Sequence, residues 1–130
     1  MSDSDPVSRR TRWSRRGYVG LMALFTACVL VQIYVAGMAV FIDPTNWRLH
    51  TGFVHVFEFI PVPLLVVAYL GGLPRPLKWT PVVLYLLVGI QYATAHQFGT
   101  YVAAIHPVNA VVIFGVAASA TKRAWSWTES

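Results

Sequence analysis

Apolar residues fill four long stretches of this chain, and short polar or proline-rich segments separate the stretches. A run of about 20 apolar residues is long enough to cross the hydrocarbon core of a bilayer as an α-helix. The pattern therefore predicts an all-α protein, an integral membrane four-helix bundle with up-down connections. The predicted spans cover residues 18–41, 47–70, 80–97 and 101–121.

The segments outside these spans are short. Residues 1–16 are rich in serine, aspartate and arginine, and we expect them to form a basic N-terminus in the cytoplasm that is disordered or lies on the membrane surface. Residues 17–125 are predicted to form a single transmembrane domain, and residues 126–130 a cytoplasmic tail. The first apolar run is longer than the core of a cleaved export signal, so we expect it to be a retained helix.

Basic residues predict how the spans are oriented. Five arginines precede the first span, and further basic residues lie in the loop before the third span and directly after the fourth; only Arg48 lies on the other side. Because basic residues favour the cytoplasmic side, both termini are predicted to be cytoplasmic in a multi-pass protein of the cell membrane. The chain has a net charge of +5, but no nucleic-acid recognition motif accompanies the arginines, so the bilayer is the expected partner.

The second span carries ionisable residues at membrane depth. His50, His55 and Glu58 lie within about three turns of a helix, and at about 100° per residue Glu58 falls between the two imidazoles on one broad face. Ionisable groups inside a membrane are energetically costly, so these three mark a candidate functional site. Gly52, on the same helix, would let a neighbouring helix or a flat cofactor come close.

Every span contributes a polar residue to a similar depth. At a rise of 1.5 Å per residue, these residues fall about 8–14 Å below the outer surface, whereas His50 and His96 lie closer to the rim. The pattern predicts a polar layer in the outer half of the bundle, in which the amides are expected mainly to link helices. The layer contains Gln32, His55, Gln91, His106 and Asn109.

Two histidines at matched depth on diagonal helices could grip a haem between them. Spans 2 and 4 take diagonal corners of an up-down bundle, and neutral imidazoles are common axial ligands of haem iron. We therefore predict a b-type haem with His55 and His106 as the preferred axial pair, which serves electron transfer or the shuttling or sensing of haem. The nearest variant pairs His50 with His106 or His96, and Arg48 at the rim would meet the propionates. The predicted cofactor-binding residues are His50, His55, His106, Arg48, Gly52 and Asn109.

Two segments resemble a family of small prokaryotic four-span membrane proteins. They read GMAVFIDPTNWRLHTGFVHVFEFIPVPLLVV and AAIHPVNAVVIFGVA, and the resemblance extends over about residues 18–125. The matching positions are His50, His55 and the His-Pro-Val-Asn-Ala segment at 106–110. This resemblance implies four spans and no particular chemistry. More distantly, the histidine-bearing helices are similar in architecture to haem A synthases and cytochrome b-type bundles, which implies haem binding.

Three other functions stay open on the sequence alone. His50, His55, His106 and Glu58, with His96 as a further ligand, suit zinc, copper or non-haem iron. The protein could instead be a structural or assembly subunit of a larger membrane complex, held together by the polar layer. Alternatively, Glu58 and the histidines could relay protons or gate a substrate path. No nucleophile–base pair or phosphate-binding loop is visible, so we assign no catalytic residue and favour an electron carrier or accessory subunit. Expected partners are a quinone or a respiratory complex and, for so short a chain, a second copy.

Overall fold

The computed structural model describes residues 7–129, which fold into helices joined by short turns. No strand occurs within this part of the chain, which confirms the all-α prediction. The α-helices are α1 (Arg9–Phe41), α2 (Trp47–Phe57), α3 (Pro61–Leu70), α4 (Arg75–Ala95) and α5 (Ile105–Trp125), and 3₁₀ turns cover Pro44–Asn46 and Tyr101–Ala104.

Three segments of the described chain are long and apolar enough to cross a membrane, namely Arg9–Phe41, Pro44–Leu70 and Tyr101–Trp125. By length and composition, the chain could therefore cross a membrane with these three segments. The third predicted span lies in α4, which is not among them. Polar residues such as Lys78 and Gln91 lower the mean hydropathy of that helix.

The helices pack as a ring of four columns. α1 lies against α5 on one side and against α2 and α3 on the other, while α4 lies against α3 and α5. No Cα atom of α2 or α3 comes within 8 Å of one in α5. The largest fully buried side chains fill the half of the ring that contains the start of α1, and alanines on α5 allow α1 to approach closely. The largest fully buried side chains include Tyr18, Met22, Phe25, Leu64, Leu77 and Leu84.

The second predicted span is interrupted between α2 and α3. Pro61 and Pro63 have no N–H, so the carbonyls four residues earlier, those of Phe57 and Phe59, lose their helical donors. These carbonyls accept instead from the N–H groups of Ile60 and Val62, each at 3.0 Å. The carbonyls of Phe57 and Phe59 therefore keep a donor across the break, and Glu58 lies at the C-terminal end of α2.

The first helix begins earlier than predicted. α1 starts at Arg9, where the Ser8 hydroxyl accepts from the Thr11 N–H at 3.2 Å, so residues 9–16 are helical and not disordered. Arg15 explains the difference, because its Nε donates to Gly71 O at 3.0 Å and its Nη1 to Trp127 O at 3.1 Å. These bonds join the start of α1 to the ends of α3 and α5. Residues 1–6, which share the prediction of disorder, lie outside the described residues.

The fourth helix also begins earlier than predicted. The third predicted span begins at residue 80, where Thr80-Pro81 has the pattern of an N-cap and a first helical residue. In the structure Pro76 lies in the first turn of α4 and Pro81 lies inside the helix. Because Pro81 has no N–H, the carbonyl of Leu77 lacks its helical donor. The hydroxyl of Tyr18, a fully buried residue of α1, donates to that carbonyl at 2.8 Å. A contact between distant helices thus replaces the bond that proline removes.

Gly71 marks the place where the end of α3 touches α1. A Cβ added there would lie 3.0 Å from Val67 O and 3.3 Å from the backbone N of Arg15. We expect Gly71→Ala to lower the free energy of unfolding by about 1–3 kcal/mol, because neither backbone can yield freely. The measurement is SDS-induced unfolding in mixed micelles. Gly20→Ala is the control, since its added Cβ meets nothing within 4 Å, and equal losses in the two variants would contradict the prediction.

Candidate functional site

His50 and Gln32 join α2 to α1 through a reciprocal contact. Gln32 Nε2 donates to the carbonyl oxygen of His50 at 2.7 Å, and His50 Nδ1 lies 3.2 Å from the carbonyl oxygen of Gln32. A carbonyl only accepts hydrogen bonds, so this contact favours the tautomer with the proton on Nδ1 and the lone pair on Nε2. The ring of Trp47 covers the half-buried imidazole edge-on, at a centroid distance of 5.4 Å.

His106 is held in a similar way by α4. It lies in the first turn of α5, directly before Pro107, and its Nδ1 is 3.0 Å from the carbonyl oxygen of Gln91 and 3.2 Å from Thr94 Oγ1. The Thr94 hydroxyl donates its own proton to Ile90 O at 2.8 Å, so its oxygen can accept from the imidazole. His106 Nε2 is 3.4 Å from Gln91 Nε2, which is too long for a strong bond. Nε2 is again the nitrogen left with a lone pair.

The rings of His50, on α2, and His106, on α5, are neighbours inside the bundle. Their centroids are 6.2 Å apart and their planes are tilted by 56°. The structure does not bring His55, the preferred partner of His106 in the sequence analysis, into contact with His106. His50 and His55 point about 140° apart around α2, so they do not share a partner. The structure thus brings His50, and not His55, next to His106.

His55 belongs to a second cluster with Glu58 and Tyr92. His55 Nδ1 is 2.8 Å from Glu58 Oε1, and the Tyr92 hydroxyl donates to Glu58 Oε2 at 2.5 Å. The rings of His55 and Tyr92 are stacked, with centroids 6.3 Å apart. The side chain of His55 is 64% exposed, whereas that of Glu58 is 14% exposed. Sequence reasoning missed Tyr92, because one tyrosine in an apolar span has the pattern of a packing aromatic.

A cavity of about 470 Å³ lies between α1, α2, α4 and α5, in the half of the bundle that contains the polar layer. Its volume falls within the range of small-molecule and cofactor sites, and most of its wall is apolar. Both histidine clusters border it. Gln32 Oε1, a buried acceptor beside it, has no hydrogen-bond partner in the described part of the chain. The polar side chains on the wall are Gln32, His50, Thr51, His55, Gln91, Tyr92, His96 and His106.

Three predicted cofactor-binding residues lie away from the cavity wall. Asn109 is buried and links α5 to α4, since its Nδ2 donates to Leu87 O and to Gln91 Oε1, each at 2.8 Å. Arg48 and Gly52 are exposed, and a Cβ added at Gly52 would meet nothing within 4 Å. The structure therefore assigns Asn109 to helix linkage and gives Arg48 and Gly52 no contact with the cavity.

The residues considered for a non-haem metal ion are divided between the two clusters. His50 and His106 form one pair, and His55 and Glu58 form the other. Within residues 7–129, no three side chains of histidine, cysteine, aspartate or glutamate lie together in a way that could hold a metal ion. The four-ligand set expected from the sequence is therefore not assembled, and each cluster offers two of its members.

Comparison with known proteins gives one match. The model of DUF6220, a family of unknown function, matches residues 32–100, just over half of the chain. The match includes His50, His55, Glu58 and Tyr92 and ends before His106. No curated protein and no solved structure matches. The resemblance to haem A synthases and cytochrome b-type bundles stays a prediction.

Proposed function

The chain belongs to the DUF6220 family, and we propose that it is a small b-type haem protein of the cell membrane that carries electrons. In this proposal His50 and His106 are the axial ligands, and the cavity beside them receives the macrocycle. The observation that carries the proposal is the separation of 6.2 Å between the centroids of the two rings. A quinone or a respiratory complex would be the electron-transfer partner.

The geometry of the two rings suits a shared metal. Metal–imidazole bonds are about 2 Å long, so two rings that bind one metal from opposite sides have centroids about 6 Å apart. The planes of two axial imidazoles both contain the axis through the metal, and they can be rotated about that axis relative to each other. A tilt of 56° is compatible with such a rotation.

The hydrogen bonds of the two histidines also support ligation. Metal-bound histidines almost always donate their other ring N–H to a carbonyl, a carboxylate or a water, which orients the ring and fixes the tautomer. The carbonyl oxygens of Gln32 and Gln91 are in place for this role at 3.2 Å and 3.0 Å. Both imidazoles are therefore prepared to bind through Nε2.

We further propose four crossings in an up-down bundle, with both termini in the cytoplasm. α4 has 21 residues and is about 32 Å long, enough to cross a bilayer as the fourth span. The hydrogen bonds of Arg15 bring the start of α1 and the ends of α3 and α5 to one end of the bundle, where nearly all basic residues lie. That end would face the cytoplasm, and the cavity would lie in the outer half of the membrane.

A visible absorption spectrum of the detergent-purified protein, before and after dithionite, tests the haem proposal. We expect a sharp Soret band, and separate α and β bands on reduction, from protein produced in haem-replete cells. A reduced spectrum with carbon monoxide serves as a control, because iron with two histidine ligands has no open position and binds the gas poorly. A colourless protein under these conditions would overturn the proposal.

A structural or assembly subunit is the second candidate function. Asn109 joins α5 to α4, and Gln32 joins α1 to α2, without any ligand being needed. Such bonds are the usual role of amides in membrane bundles, where each contributes about 0.6 kcal/mol. A colourless but stable protein that co-purifies with a larger membrane complex would favour this function.

A further inference from the structure

One side of the cavity lies between α2 and α4, which are not closely packed against each other. No Cα atom of α2 lies within 8 Å of one in α4, although both helices line the cavity. The side chains that bridge the two helices are those of the His55–Glu58–Tyr92 cluster. An opening between α2 and α4 at this level would face the lipid, since α2 lies within a segment that is apolar enough to cross the membrane.

The His55–Glu58–Tyr92 cluster offers one polar atom that can accept a hydrogen bond from a ligand at this opening. A carboxylate only accepts hydrogen bonds, so the contact between Glu58 Oε1 and His55 Nδ1 favours a proton on Nδ1. The Tyr92 hydroxyl is already used, because it donates to the second oxygen of Glu58. His55 Nε2 remains as an acceptor with a lone pair, on a side chain that is 64% exposed. The carboxylate behind the imidazole holds the ring in place and makes Nε2 a better acceptor.

We propose that this opening binds the head group of a lipid-soluble hydroquinone, with one hydroxyl of the ring donating to His55 Nε2. The ligand must come from the membrane, must carry a hydroxyl donor and must fit an opening walled by aromatic and aliphatic side chains. A hydroquinone with an apolar tail has all three properties, and its flat ring can stack on Tyr92 as His55 does.

The choice of a hydroquinone over other hydroxylated lipids rests on the proposed function. His55 lies five residues after His50, which is about 7.5 Å along the axis of α2. The bound ring would therefore lie beside the proposed electron-transfer centre, and a hydroquinone is a lipid-soluble electron donor. The binding site itself involves neither His50 nor His106.

Binding of decylubiquinol, a short-tailed hydroquinone, to the full chain in lipid nanodiscs tests the inference by anaerobic calorimetric titration. His55→Phe keeps an aromatic ring but removes the acceptor, and we expect affinity to fall about tenfold, the value of one hydrogen bond of about 1.4 kcal/mol. Glu58→Gln, which no longer fixes the tautomer of His55, should also weaken binding. His96→Phe is the matched control, because His96 lines the same cavity outside the cluster, and its affinity should change less than about twofold.

The outcomes separate this inference from the haem proposal. Binding that is weakened by His55→Phe in a colourless wild-type protein would support the site and overturn the haem. If the protein contains haem and His55→Phe leaves its affinity for decylubiquinol unchanged, the proposed binding site is wrong. Competition by dioleoylglycerol at the same concentrations as decylubiquinol would also overturn it, because the opening would then bind hydroxylated lipids in general. Decylubiquinone, which has no hydroxyl donor on its ring, should bind more weakly than the reduced form.

Discussion

Replacing either His50 or His106 with alanine is expected to abolish the sharp Soret band of low-spin haem, whereas His55→Ala and His96→Ala should retain it. Each of the first two substitutions removes one of the two rings whose centroids are 6.2 Å apart, and iron bound by a single imidazole is five-coordinate and high-spin. His55 is bonded to Glu58, and no contact joins it to either ring of the pair. The measurement is the position of the Soret band, its height relative to protein absorbance, and the α and β bands after reduction in the four purified variants.

Addition of free imidazole distinguishes lost ligation from lost stability. A His50→Ala protein that is folded has a space beside His106 that imidazole can enter, and the band should then return in a concentration-dependent way. Far-ultraviolet circular dichroism of each variant verifies that the helices are intact. If His55→Ala removed the band and His50→Ala did not, the ligands would be the pair preferred from the sequence, and our choice of His50 would be wrong.

The sequence was sufficient to predict the helices and the grouping of polar residues from different spans. Both follow from hydrophobic periodicity and from the fixed rise of a helix, which depend on no contact with other parts of the chain. The loosening of the second span at Pro61 and Pro63 is equally local, because proline removes a backbone donor wherever it occurs. These features of the fold can therefore be predicted from the local sequence alone.

The pairing of the histidines could not be read in this way. It depends on how far α2 is rotated about its own axis, and that rotation is set by the contact between Gln32 on α1 and the backbone of His50. A sequence pattern specifies angles within one helix and not between two helices. His55, at a favourable depth, therefore seemed the better ligand, although the structure turns it towards Tyr92 on α4.

The starts of α1 and α4 were mispredicted for a related reason. Residues 9–16 have the composition of a disordered segment, but Arg15 bonds to two carbonyls from distant parts of the chain. Thr80-Pro81 is a good local signal for a helix start, yet Pro76 provides an equally good one a turn earlier. In both cases tertiary contacts decide between local alternatives, and the contact of Tyr18 with Leu77 makes Pro81 tolerable inside the helix.

Substitution of Tyr18 with phenylalanine is expected to lower the free energy of unfolding by about 1–3 kcal/mol, because it leaves a buried carbonyl without a donor. Tyr18 is fully buried, and its hydroxyl is 2.8 Å from Leu77 O. Phenylalanine keeps the ring and its packing, so the lost hydrogen bond is the main change. SDS-induced unfolding in mixed micelles measures the difference.

A second substitution isolates this cause. In the Pro81→Ala background the new backbone N–H lies four residues after Leu77 and can complete the helical bond to the same carbonyl. The cost of Tyr18→Phe should then fall below about 1 kcal/mol, which corresponds to a coupling energy of about 1–2 kcal/mol between the two positions in a double-mutant cycle. Equal costs of Tyr18→Phe in the two backgrounds would show that the hydroxyl stabilises the protein by some other contact. A reduced cost would show that a bond between α1 and α4 is what allows a proline to remain inside the helix.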